Sequence, residues 1–255
     1  MTDLIISAIE VGAIRPSNIS FDGLRAFAGR DHGRWRELGR GRAILGSQEQ
    51  LAQYLYSYGP MTKSQWGKFL PGVKILSGRL RIIDYGCGQG LASVLLMDHF
   101  GDSIIGAIDD TVLIEPSVVA LARAKSIVSC YCGGSRITAL NSKLDDLSAE
   151  NLKPLRNQST IHLMSNVLDI DDFDYGALFS KILAHAGHHS VLAVSHDRNF
   201  DGGSARFLDI ERQISDPKFR DQLSISISRI DRYNCSNGQP AISWQLLVEV
   251  TNGSL

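Results

Sequence analysis

Apolar positions follow two different rhythms along the chain. Up to residue 72 they recur at three- and four-residue spacing among arginines, tyrosines and glycines. Leu51, Tyr54, Leu55 and Tyr58 make one such helical face. Ser47 with Gln50 predicts its start as a capping box. Thr62 with Gln65 predicts a second start, and Pro71 with Gly72 ends that helix. After Gly78 the pattern changes to short, solid apolar runs. "LRIIDYG", "TVLIEP", "SRITALNS", "STIHLMSNVLDI" and "HSVLAVSHD" read as buried strands, the second closed by Pro116. "LASVLLMDHF", "SVVALARAKSIVSCY" and "YGALFSKILAHA" read as the helices between them. The tail alternates in "SISISRIDRY" and again in "AISWQLLVEVT", which predicts an antiparallel pair joined through "NCSNGQP".

Strands alternating with helices predict an α/β fold: a doubly wound, mostly parallel, seven-stranded sheet with an antiparallel C-terminal edge. Residues 1–72 form a helical cap extension in this reading, and residues 73–255 form the α/β domain. Composition adds little. Of 255 residues, 44% are apolar and 21% charged, and the net charge is −1, so no whole-molecule field draws nucleic acid or membrane. No apolar stretch has membrane-spanning length. The opening "MTDLIISAIEVGAI" carries Asp3 and Glu10 and no basic leader, which leads to the expectation of a cytoplasmic protein. Cys87, Cys130, Cys132 and Cys235 form no CxxC pair, and no metal site is expected from them.

The first solid run ends in "IIDYGCGQG", with Gly86, Gly88 and Gly90 at alternate positions. No lysine and Ser/Thr follow the last glycine, so the loop is not a P-loop. Leu91 stands where the dinucleotide fingerprint needs its third glycine. Asp84, two residues before Gly86, would repel a pyrophosphate and would welcome an ammonium group. S-adenosylmethionine carries an ammonium, a sulfonium and no phosphate. The second strand ends in Glu115, where a carboxylate can accept from both ribose hydroxyls. An NAD-dependent oxidoreductase would rest on the same loop, and Asp84 disfavours it.

"DYGCGQG" resembles the D-x-G-x-G-x-G loop of class I, Rossmann-like S-adenosylmethionine-dependent methyltransferases. "LIEP" is similar to their acidic second-strand end, and "SNVLDIDDFDYGALFSKILAHAGHHSVLAVSH" to their fourth strand, helix and fifth strand. The resemblance spans residues 75–250. It implies S-adenosyl-L-methionine as cofactor, with Asp84, Gly86, Gly88 and Gly90 around the methionine end, Glu115 on the ribose, and Cys87 and Ser165 as further cofactor contacts, Ser165 also facing the acceptor. Asn141, Ser142 and Lys143 would lie nearest the adenine, and either Asp145 or Asp146 would accept from its amino group.

The carboxyl ends of the later strands would meet the methyl acceptor. Asn166 and Asp169 after the fourth strand and His196 after the fifth are the candidate catalytic residues, with Asp169 or His196 as proton acceptor. No N/D-P-P-Y/F or Pro-Cys motif follows the fourth strand, which disfavours methylation of base amines and Cys-dependent methylation of base carbons. His185, His188 and His189 crowd the turn before the fifth strand without further ligands. Tyr54, Tyr56, Tyr58, Lys63 and Trp66 could wall the acceptor pocket, Tyr58 and Lys63 foremost. The segment Arg25–Arg42 holds six arginines and Trp35, which favours a nucleic-acid acceptor slightly over a small molecule. The competing expectation is a catalytically weak, methyltransferase-like binding or scaffold subunit. The acceptor and the oligomeric state are not legible.

Overall fold

The computed structural model describes residues 3–154, 157–170, 173–199, 203–216 and 222–251. Seven strands form one sheet: β1 (Leu80–Tyr85), β2 (Ile108–Ile114), β3 (Arg136–Leu140), β4 (Ser159–Ser165), β5 (Gly187–His196), β6 (Leu223–Asn234) and β7 (Pro240–Val250). Their order is β3-β2-β1-β4-β5-β7-β6. The pairs among β1 to β5 are parallel, and β7 lies antiparallel between β5 and β6. The fold is therefore the Rossmann-like, mostly parallel seven-stranded sheet with an antiparallel C-terminal edge. β6 is the edge strand and alternates in burial, whereas β7, paired on both sides, is buried almost throughout.

Among the described residues the α-helices are α1 (Leu4–Glu10), α2 (Phe21–Arg25), α3 (His32–Trp35), α4 (Gln48–Ser57), α5 (Gly59–Phe69), α6 (Leu91–Phe100), α7 (Asp102–Ile105), α8 (Val118–Tyr131), α9 (Ala149–Leu152), α10 (Tyr175–Leu183) and α11 (Ala205–Ile214). Side chains of β1 alternate between two cores. Leu80 and Ile82 pack with α6 and α8, while Ile83 and Tyr85 pack with α10 and α11. The N-terminal helices belong to the first core, for Ile5, Leu24, Leu55 and Trp66 share one cluster with Leu80 and Ile82.

Several boundaries differ from the sequence reading. α5 begins at Gly59, not after Thr62, because Pro60 sits in its first turn, where its missing N–H costs nothing. Thr62 lies inside that helix, and its hydroxyl donates to the Tyr58 carbonyl at 3.1 Å. Ser47 does cap α4, accepting from the Gln50 N–H, but the Gln50 side chain accepts from Gly46 instead of closing the box. Residues 101–110 hold α7 and the first residues of β2, which starts before the apolar run that marked it. The helix α11 went unread, although Phe207, Ile210 and Ile214 form its buried stripe. Among the described residues, no helix is long and apolar enough to cross a membrane.

Candidate functional site

The glycine loop joins β1 to α6 at the carboxyl end of the sheet. Gly86, Gly88 and Gly90 have φ of 57°, 53° and 83°, a region that L side chains rarely occupy. Gly90 also packs against the Cα of Ala124 in α8, so its lack of a side chain closes the helix onto the loop. Gly88 is different: a Cβ there would project into open space.

That space is a cavity of about 300 Å³ lined by Gly86, Gly88, Glu115, Asp145, Ser165 and Asn166, with Ile44, Leu45, Val167 and Phe173 as apolar walls. Glu115 is 9% exposed. Its Oε2 accepts from the Gly88 N–H at 3.0 Å and its Oε1 from the Ser117 N–H at 2.9 Å. Burial raises its pKa, and the two backbone donors oppose that shift. The Ser165 hydroxyl accepts from the Trp66 indole at 3.0 Å. Of Asp145 and Asp146, Asp145 lines the cavity.

Other residues expected around a cofactor lie just outside this lining. Asp84 is fully buried on the α6 side of β1. Its Oδ2 accepts from the Ser93 hydroxyl at 2.7 Å, and its Oδ1 has no hydrogen-bond partner among the described residues. Burial pushes its pKa up to about 7. Cys87 is buried, and burial drives its thiol pKa up. Asn141 donates to the carbonyls of Glu115 and Pro116, which ties β3 to the end of β2. Ser142 donates to the Lys143 carbonyl.

A second, larger cavity of about 480 Å³ adjoins the first. Gly41, Arg42, Tyr54, Asn166 and Ile170 line both. Asp169 and His196 stand in the second cavity with Tyr58, Met61 and Pro240. Burial lowers the His196 pKa, while nearby Asp169 raises it in part. Asp169 is 5% exposed and its Oδ2 pairs with Arg198 at 3.2 Å. Its neighbours Asp171 and Asp172 lie outside the described residues. Asn166 has a left-handed backbone, φ 54°, and makes a reciprocal amide pair with Gln65 at 3.0 and 2.9 Å.

The structure does not bring every expected acceptor-side residue to the site. Lys63 lines neither cavity, and its ammonium lies 2.7 Å from both oxygens of Asp22 on the surface. Tyr56 is exposed beneath Arg30, and Trp66 is a core residue. The arginine segment is dispersed. Arg34 pairs with Asp31 and Glu37, whereas Arg40 and Arg42 line the second cavity. Arg40 has φ 59° between Gly39 at 53° and Gly41 at 88°, a conformation that costs a non-glycine residue about 1–2 kcal/mol. Arg40 and Arg42 were expected only as part of an arginine-rich nucleic-acid arm, and Gln65 only as a helix-capping partner. The alternating "GRGR" was the available signal for the arginines, and nothing local marks Gln65.

No family model and no curated protein matches the sequence. The backbone is similar to solved methyltransferase structures at low identity. An rRNA methylase from Streptococcus thermophilus is 13% identical over 75% of this chain and 96% of that one, with a TM-score of 0.44. A SAM-dependent methyltransferase from Leishmania major is 12% identical over 84% of this chain and 82% of that one, with a TM-score of 0.45. A plantazolicin methyltransferase, solved in complex with a monoazolic desmethylPZN analog and SAH, is 11% identical over 83% of this chain and 89% of that one, with a TM-score of 0.48.

Proposed function

We propose that the chain is an S-adenosylmethionine-dependent methyltransferase. The observation that carries the reading is the pair of adjoining cavities. One is walled by the glycine loop and a strand-end carboxylate, the other by a neutral imidazole, and they share the Tyr54–Asn166 wall. The residues fit the cofactor. The space a Gly88 side chain would fill is kept open, and the acceptors Glu115 and Asp145 line the same cavity.

When bound, S-adenosylmethionine supplies an electrophilic methyl carbon. Glu115 would accept from the ribose hydroxyls, because each of its oxygens keeps a lone pair beyond the backbone N–H it already takes. Asp145 would accept from the adenine amino group, and the backbone of Gly86 and Gly88 leaves room for the methionine part. We assign Asp84, Cys87, Gly90, Asn141 and Ser142 to holding the loop and strand ends rather than to direct contact. Ser165 and Asn166, fixed by Trp66 and Gln65, would set the wall between donor and acceptor.

His196 is the proton acceptor in this reading. Burial lowers its pKa, so the imidazole is neutral at pH 7 and free to take a proton. Asp169 is committed to Arg198 and would orient and polarise His196. Tyr58 lines the acceptor side.

Ultraviolet cross-linking with methyl-tritiated S-adenosylmethionine and peptide mapping tests the site. Label is expected on peptides that carry the glycine loop or Glu115. Label confined to other peptides would sink this assignment.

A further inference from the structure

The larger cavity carries a charge that nothing in the fold uses. Asp169 is matched by Arg198 at 3.2 Å, and Asp197 by Arg232 at 3.1 Å. The Asp197 carboxylate also accepts from the Ser204 hydroxyl. Both acids of this lining are thus neutralised by arginines. Arg40 and Arg42 remain, both exposed, and neither guanidinium has a hydrogen-bond or ion-pair partner among the described residues. The cavity lining therefore includes two guanidinium groups without a carboxylate partner, together with His196.

The backbone reinforces this picture. Arg40 is held left-handed between two left-handed glycines, where a third glycine would sit without strain. Strain of that kind persists where the side chain's position matters. The remaining wall is apolar and aromatic. The Tyr54 and Tyr58 rings lie 5.0 Å apart at 40°, with Met61 and Pro240 beside them. At about 480 Å³ the cavity has the volume of a small-molecule site.

We propose that the larger cavity takes a small acceptor bearing an oxyanion group, a carboxylate or a phosphate, which Arg40 and Arg42 hold by charge-assisted hydrogen bonds. The proposal names the substrate class of the methyltransferase site and rests on that reading for the word acceptor. The anion-binding step itself stands on the arginines alone. Guanidinium groups match both oxyanions in a two-pronged geometry. The apolar wall would take the body of the acceptor and His196 would face its nucleophile. A nucleic-acid track fits less well, because Arg34 is engaged with Asp31 and Glu37 and Arg30 lies over Tyr56.

Calorimetry on the full chain tests this without turnover. Benzoate and inorganic phosphate are titrated separately into the wild type, Arg40→Gln, Arg42→Gln and the double variant. S-adenosylhomocysteine is titrated into the same four proteins. Saturable binding of at least one anion is expected, weakened about tenfold or more in the double variant, with S-adenosylhomocysteine affinity kept in Arg40→Gln, whose residue lines the larger cavity and not the cofactor cavity. The probe that binds tells carboxylate from phosphate. Failure of both anions to bind the wild type, or unchanged anion affinity in the double variant, would overturn the proposal. Anion affinity kept in Arg42→Gln with S-adenosylhomocysteine affinity lost would overturn the assignment of Arg42. Tight binding of a short oligouridylate that depends on both arginines would overturn the small-molecule class. Anion binding by a wild type that does not bind S-adenosylhomocysteine would support the arginine site and defeat the methyltransferase reading alone.

Discussion

Asp84 is fully buried below the glycine loop, and burial raises its pKa to about 7. Its ordinary value is about 4, so the folded chain keeps a proton that the unfolded chain has released. The stability from this group is present below about pH 4 and is lost as pH rises through about 7, by roughly 4 kcal/mol. Asp84→Asn removes that dependence. Urea unfolding should show the variant gaining on the wild type more at pH 8 than at pH 5, and an equal difference at both would contradict the buried, protonated carboxyl. Burial raises the Glu115 pKa as well, but both of its oxygens are hydrogen-bonded. Glu115 is held by two backbone N–H groups, and Glu115→Gln replaces one of its two charged acceptor oxygens with a donor. The loop, Glu115 and the strand ends were legible because they are local: spacing along the chain fixes them. Asp84 shows the limit of that legibility. Its identity was readable, but the alternation of β1 turns its carboxylate toward Ser93 and α6 rather than into the cavity. Gln65 was not readable, because its partner Asn166 is 101 residues away.

Between elements, polar side chains thread the sheet and tie helices to it. Tyr85 of β1, His162 of β4 and His189 of β5 form a buried chain at 2.8 and 3.0 Å. His189 Nε2 meets the His185 carbonyl, so it must donate. His189 Nδ1 then accepts from His162 Nε2–H, and His162 Nδ1 accepts from the Tyr85 hydroxyl. Both rings are neutral. Burial lowers both pKa values, that of His189 to about 4. The folded value lies below the unfolded one of about 6.5, so the stability is present above pH 6.5 and is lost as pH falls through 4, roughly 3 kcal/mol from His189. This opposes the Asp84 trend, and single variants separate the two. The stability of His189→Gln should fall less between pH 7 and pH 4 than that of the wild type; a parallel fall would contradict a neutral buried ring. A second tie runs from α1 to the glycine loop. Asp3 caps α1 and pairs with Arg123 of α8 at 2.7 Å, and Arg123 donates to Gln89 at 2.8 Å. Asp3→Ala leaves a buried guanidinium uncompensated and should cost about 3–5 kcal/mol in urea unfolding. A loss below about 1 kcal/mol would show the pair to be idle. The apolar spacing of α4, α8 and α10 and the solid apolar run of α6 made them readable; α9 is a single turn in a polar stretch, whereas Phe207, Ile210 and Ile214 gave α11 a helical stripe that the sequence already carried.

The whole molecule works as one packed body around the carboxyl end of the sheet. The change of apolar pattern divided the chain at residue 72, and the N-terminal helices contribute Leu24, Leu55, Trp66 and Phe69 to the core beneath β1. They also hold the site, through Trp66 on Ser165, Gln65 on Asn166, and the Leu51 carbonyl accepting from Gln89. Residues 73–255 expressed alone should therefore expose apolar surface, bind a hydrophobic dye and lose cooperative unfolding. A soluble fragment that unfolds cooperatively would show the extension to be dispensable. The central claim is that the cavity between the glycine loop and Glu115 takes the phosphate-free nucleoside of S-adenosylmethionine. Calorimetry of the full chain with S-adenosylhomocysteine and with NADH, on wild type and Glu115→Gln, tests it most directly. Saturable binding of S-adenosylhomocysteine, weakened about tenfold or more by Glu115→Gln, with no binding of NADH, is the predicted result. Binding of NADH in place of S-adenosylhomocysteine, or S-adenosylhomocysteine affinity indifferent to Glu115→Gln, would contradict it.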